Sequence, residues 1–149
     1  MCGMCGGEKI AATWRRICDG ILSVGWSLVT VSGNGIREPS FAYTMGLSEC
    51  GHPEFIVFGL GDFESHAAIA PLAQAALGGA CFDEGDNLTD LYPPGVSPPR
   101  LLRFPDSTTH LLWANDMYRG ADDLPIPALQ VVWISESDDP GRRLIRCLP

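Results

Sequence analysis

"PSFAYTMGLSECGHPEFIVFGL", residues 39–60, holds two apolar runs joined by a short link. FAYTMGL (41–47) and EFIVFGL (54–60) are rich in the aromatic and β-branched residues that fit a pleated, half-buried surface. The link is too short for a parallel crossover, so the runs read as successive antiparallel strands. Alternation along the first puts Phe41, Tyr43, Met45 and Leu47 on one face and Ala42, Thr44 and Gly46 on the other. A face of small residues admits close approach by a helix or a ligand. The link crowds Glu49, Cys50, Gly51, His52, Pro53 and Glu54 together, and Pro53 favours extended backbone before it. Glu54, at the head of the second strand, is placed to accept a hydrogen bond from Tyr43 or Thr44.

Working outward, Ile10, Trp14, Ile17, Cys18, Ile21 and Leu22 recur at helical spacing and predict a helix over 8–24, with Gly25 as its stop. WSLVTV (26–31) predicts a strand that returns through SGNG (32–35). Residues 62–77 predict a helix that Asp62 caps and that Pro71 kinks or divides. A loop over 83–99 follows, then a strand at RLLRF (100–104). A helix capped by Ser107 or Thr108 runs through HLLWANDMY (110–118), and ALQVVWI (128–134) is a further strand. This order predicts an α+β fold, a mostly antiparallel sheet of about five strands with about three helices packed on it. The 149 residues read as a single domain, 1–149, with 1–7 as a flexible segment and 135–149 as a tail without an assigned place.

Composition narrows the function classes. Hydrophobic residues make up 46% and charged residues 19%, the balance of a globular chain. A net charge of −8 argues against a broad nucleic-acid footprint, which needs Lys and Arg to displace counterions, so no nucleic-acid partner is expected. No apolar run approaches the ~20 residues of a membrane helix. MCGMCGGEKI lacks the basic and apolar regions of a secretory signal. A cytoplasmic setting is therefore expected, with no membrane partner and with the six cysteines kept as thiols. Cys18, Cys81 and Cys147 read as small buried hydrophobes.

G-x-x-x-x-G-K-[ST], H-E-x-x-H and G-x-S-x-G are all absent. DEGDNLTD (83–90) fails as a calcium loop because Gly85 falls where an oxygen ligand belongs. Cys2 and Cys5 form a C-x-x-C, a spacing at which two thiolates bite one Zn²⁺, although a closed site needs further ligands such as Cys50 and His52. A flavin is the weaker alternative cofactor. Of His52, His66 and His110, the last opens an apolar helix beside Ser107 and Thr109 and is the leading candidate for chemistry. Tyr43, Thr44, Glu54 and His110 thus define a candidate cleft. Three functions compete: a module binding a small molecule or protein partner in that cleft, a small enzyme using His110 and Glu54 as acid and base, and a metal-binding protein using Cys2 and Cys5.

GWSLVTV, PSFAYTMGLSECGHPEFIVFGL, His110-Leu-Leu-x-Ala and ALQVVW together resemble the bacterial family catalogued as domain of unknown function 4262. The resemblance runs over roughly residues 2–134, and members often open with a C-x-x-C. The matching positions are Gly25, Trp26, Phe41, Tyr43, Thr44, Gly46, Leu47, Pro53, Glu54, His110 and Gln130, which adds Gln130 to the candidate cleft. The resemblance implies a small, mainly prokaryotic, cytosolic protein and brings no established activity. After Trp133 the family tends toward an acidic residue, a glycine and a Pro-Trp pair, whereas this chain reads SESDDPGRRLIRCLP.

Overall fold

Helix α1 (Gly3–Val24) ends at Gly25, whose φ of 93° lies in the left-handed region that favours glycine. The computed structural model describes residues 3–33, 38–95, 97–120 and 123–133, with the backbone alone for 3–8. Strands β1 (Ser27–Val31), β2 (Phe41–Met45) and β3 (Glu54–Phe58) follow as an antiparallel meander, with Val29 opposite Tyr43 and Tyr43 opposite Ile56. After helix α2 (Asp62–Leu77) the chain lays down β4 (Arg100–Arg103). It returns through two short helices, α3 (Ser107–His110) and α4 (Leu112–Tyr118), into β5 (Ala128–Val132). The sheet order is β1-β2-β3-β5-β4. β5 runs parallel to β3 and antiparallel to β4, so the sheet is mostly antiparallel and the fold is α+β.

Both faces of the sheet are covered. On one, Ala42, Phe55, Val57, Leu129 and Val131 pack against Ile69, Leu72, Ala73 and Ala76 of α2. The small Ala42 is therefore where a helix comes close. On the other, Val29, Tyr43, Met45, Ile56 and Ala128 pack with Ile17 of α1 and with Leu111 and Ala114 of the α3–α4 pair. Burying an Ile69 or Leu72 side chain contributes about 1.5–3 kcal/mol.

Several boundaries differ from the sequence reading. α1 starts at Gly3 rather than at residue 8. Pro71 does not divide the segment into two helices: α2 is one element with the proline inside it. Its loss of an N–H and ring clash cost about 3 kcal/mol, and the surrounding Ala68, Ile69, Leu72, Ala73 and Ala76, all buried, outweigh that. Gly61, not Asp62, stands at the N-cap, and Asp62 and Glu64 occupy the first turn, where carboxylates suit the positive helix end. The helix expected through 110–118 is broken at Leu111, with φ −87° and ψ 58°. The buried Asn115 amide braces the break: its Nδ2 donates to the Ser107 carbonyl at 3.0 Å and the Leu111 carbonyl at 2.9 Å, beside the backbone N–H groups those carbonyls also accept. Cys18 is half-buried and Cys81 is exposed, so neither is a fully buried hydrophobe. The SGNG turn lies partly, and the tail after 133 wholly, outside the described residues.

Candidate functional site

The first strand of the opening stretch stops at Met45, two residues short of its expected end. Gly46 takes a φ of 119°, and a Cβ there would collide with the Gly25 carbonyl. Leu47–Cys50 then coils into one 3₁₀ turn. The alternation breaks with it, so Leu47 joins the core beneath α2 instead of sharing the face of Tyr43 and Met45.

Glu54 is what holds this turn. Its carboxylate is 0% exposed. Oε1 accepts the Thr44 hydroxyl at 2.8 Å and the Leu47 N–H at 3.2 Å. Oε2 accepts the Ser48 N–H at 2.9 Å and the Ser48 hydroxyl at 2.6 Å. The side chain thus caps the first N–H groups of the 3₁₀ turn, doing from downstream what an N-cap residue does from upstream. Burial pushes its pKa up, and the donors from Ser48, Thr44 and Leu47 oppose that rise. Thr44 completes the lock: its Oγ1 accepts the Phe55 N–H at 2.9 Å, standing in for a backbone carbonyl where the β2–β3 ladder ends. Downstream, His52 Nε2 accepts the Phe82 N–H at 3.0 Å, which leaves Nδ1 to donate to the Pro53 carbonyl at 2.7 Å. The crowded link is a tightly bonded connection pinned to the chain after α2.

The other candidates lie elsewhere. The Tyr43 hydroxyl accepts the Trp113 N–H at 3.2 Å, and burial pushes its pKa up to about 12. Gln130 is buried on β5, beside Ile56 on one side and Leu102 on the other. The His110 ring packs against Phe41 at 5.1 Å, Phe104 at 5.2 Å and Phe58 at 5.6 Å. Phe58 closes β3 and Glu54 opens it, a span of about 13 Å at the ~3.3 Å rise of a strand. The structure therefore brings Thr44 and Glu54 together, keeps Tyr43 between, and puts His110 at the far end. Glu54 and His110 are beyond the hydrogen-bond reach that acid–base partners need.

His110 has its own setting. Nδ1 lies 3.2 Å from the Asp106 carbonyl and 3.0 Å from Thr109 Oγ1, whose proton goes to that same carbonyl at 3.2 Å. A carbonyl only accepts, so Nδ1 carries the proton in the neutral ring and Nε2 keeps a lone pair. The Asp106 carboxylate stands 3.7 Å from Nδ1 and reinforces that orientation. Nε2 has no hydrogen-bond partner among the described residues. The ring borders a hollow of about 400 Å³ whose apolar wall is Phe41 and Phe58 and whose rim includes Ser32, Glu38 and Thr109.

Sequence reasoning found His110 and missed this hollow. The cross-strand pairing of Phe41 with Phe58 was the available signal, since a hairpin closing near residue 50 puts the two rings side by side. Among the described residues, no group of three or more His, Cys, Asp and Glu side chains is arranged to hold a metal. Cys2 and the side chain of Cys5 lie outside the described residues. Among the described residues, no helix is long and apolar enough to cross a membrane.

A family model with the description "Domain of unknown function (DUF4262)" matches residues 20–139. No curated protein and no solved structure matches the chain.

Proposed function

The chain belongs to the DUF4262 family of unknown function, and we propose that it is a binding module that takes a small molecule in the hollow at His110. The observation that carries this reading is the oriented ring: Nδ1 is engaged, Nε2 is left with a lone pair, and phenylalanines fix the plane beside an open, aromatic-walled space. Sites for small molecules are concave and largely apolar, with a few placed polar groups, and this one has that form. The ligand it suits has a flat or apolar body for Phe41 and Phe58 and an N–H or O–H donor for Nε2. Glu54 has a structural role in this account, since its four accepted hydrogen bonds come from Thr44 of β2 and from Leu47 and Ser48 of the 3₁₀ turn. The acid–base reading of Glu54 with His110 has no geometry to support it. A cytoplasmic setting suits the unpaired thiols Cys18, Cys50 and Cys81.

The test uses amide correlation spectra of the protein with a set of small phenols, anilines and heteroaromatic amides. Binders should shift the amides of Val31, Phe41, Phe58 and His110 together, and the shifts should vanish in His110→Ala. Binders that shift other regions, or that bind His110→Ala equally well, would overturn the reading.

A further inference from the structure

The two edges of the sheet are finished differently. At the β4 edge the Leu101 carbonyl accepts the Gly85 N–H at 3.2 Å, and the Arg103 N–H donates to Glu84 Oε2 at 2.8 Å. The Arg103 guanidinium also grips the Asp83 carboxylate at 2.8 and 3.0 Å. The outward backbone groups of Leu101 and Arg103 are thus taken by the 83–86 loop, and the strand carries charge at both ends. Covering and charging an edge are the two common ways of blocking strand addition.

Among the described residues, β1 has neither protection. It pairs with β2 alone, and none of its backbone groups bonds outside that pairing among the described residues. Its sequence, SLVTV, contains no charge, no proline and no glycine. Beside it lies a hollow of about 350 Å³ lined by Gly20 and Val24 of α1, Leu28 and Thr30 of β1, and Asp62 and His66 of α2. α1 and α2 cover opposite faces of the sheet, so a space touching both can open only past the outer edge of β1.

We propose that β1 pairs antiparallel with β1 of a second copy, making one continuous sheet across a two-fold axis. The strand is self-complementary about Val29: Val29 then faces its counterpart, Leu28 faces Thr30 and Ser27 faces Val31. Aliphatic and β-branched pairs of this kind are the stabilising unit of a sheet. No like charges meet along the pairing, although each copy carries a net charge of −8. The same patch serves both copies, as a closed two-fold interface requires. Val24, 63% exposed at the border of the hollow, gains cover from the second copy.

Light scattering coupled to size exclusion, run on the full chain from micromolar to near-millimolar concentration, reads the outcome. The wild type should reach twice its 16.1 kDa chain mass as concentration rises. Thr30 is exposed, so Thr30→Lys should keep the wild-type circular dichroism spectrum and remain at the single-chain mass. Arg103→Ala, on the opposite edge, should still dimerise. A wild type that stays at single-chain mass at every concentration would overturn the proposal, and so would a folded Thr30→Lys variant that dimerises as well as the wild type.

Discussion

Replacing Glu54 by glutamine turns one of two carboxylate oxygens into an amide nitrogen, and each of those oxygens now receives two donors. A rotating hydroxyl, from Thr44 or Ser48, can reverse and accept from the new NH₂. A backbone N–H cannot. Whichever way the amide is turned, either the Leu47 N–H or the Ser48 N–H is left facing another donor inside the protein. An orphaned buried donor costs about 1–3 kcal/mol. Against this stands the relief of removing a buried carboxylate with no cation bonded to it among the described residues. Four accepted hydrogen bonds, two of them from backbone N–H groups at a turn start, make the loss the larger effect. Glu54→Gln should therefore be destabilised by about 1–3 kcal/mol at pH 7, read as a lower urea midpoint with an unchanged slope. The pH dependence gives a second reading. Burial raises the Glu54 pKa above its ordinary 4.5, so the folded state holds the proton more tightly than the unfolded state does. The contribution of Glu54 to stability then falls as pH rises from 4.5 through the folded-state value, and is level above it. That downhill limb should be missing from the glutamine variant. A glutamine variant as stable as the wild type at pH 7 would refute the argument that two accepting oxygens on Glu54 hold the turn.

His52→Ala removes an acceptor for the Phe82 N–H and a donor for the Pro53 carbonyl, together with ring contacts to Phe55 and Phe82, and should cost about 2–4 kcal/mol in thermal or denaturant unfolding. Asn115→Ala should cost about 1–3 kcal/mol, because the buried Ile126 N–H loses its acceptor while the Ser107 and Leu111 carbonyls keep only their backbone N–H donors, and amide exchange should speed up at Ile126 first. Tyr43, Tyr92 and Tyr118 all have phenol pKa values raised by burial, so the native protein should show no phenolate absorbance near pH 10. Because their protons are held more tightly in the folded state, stability should fall as pH climbs above 10. A phenolate signal at pH 10 from fully folded protein would contradict the packing of these rings.

The antiparallel run from β1 to β3 was legible because its signals are local: alternation, β-branched residues and links too short for a crossover. The Thr44–Glu54 contact was legible for the same reason, since the short link returns the chain beside itself. The 3₁₀ turn over Leu47–Cys50 was not, because it depends on a carboxylate that reaches back from the next strand. The break at Leu111 is braced by an Asn115 amide that bonds back to the Ser107 and Leu111 carbonyls and on to the Ile126 N–H, an arrangement that periodicity does not register. The place of β5, slotted between β3 and β4, comes from long-range pairing. His110 was picked out by its residue type and its place at the head of an apolar helix, but its distance from Glu54 is a matter of topology that sequence neighbours do not encode.

The most direct test of the binding account is a long-range ¹H–¹⁵N spectrum of the His110 ring, taken where the ring is neutral, with and without a compound found to bind. The account predicts a protonated Nδ1, an unprotonated Nε2 in the free protein, and an Nε2 resonance that moves when the hollow is filled. A free protein with the proton on Nε2, or an Nε2 resonance that ignores a saturating binder, would contradict it.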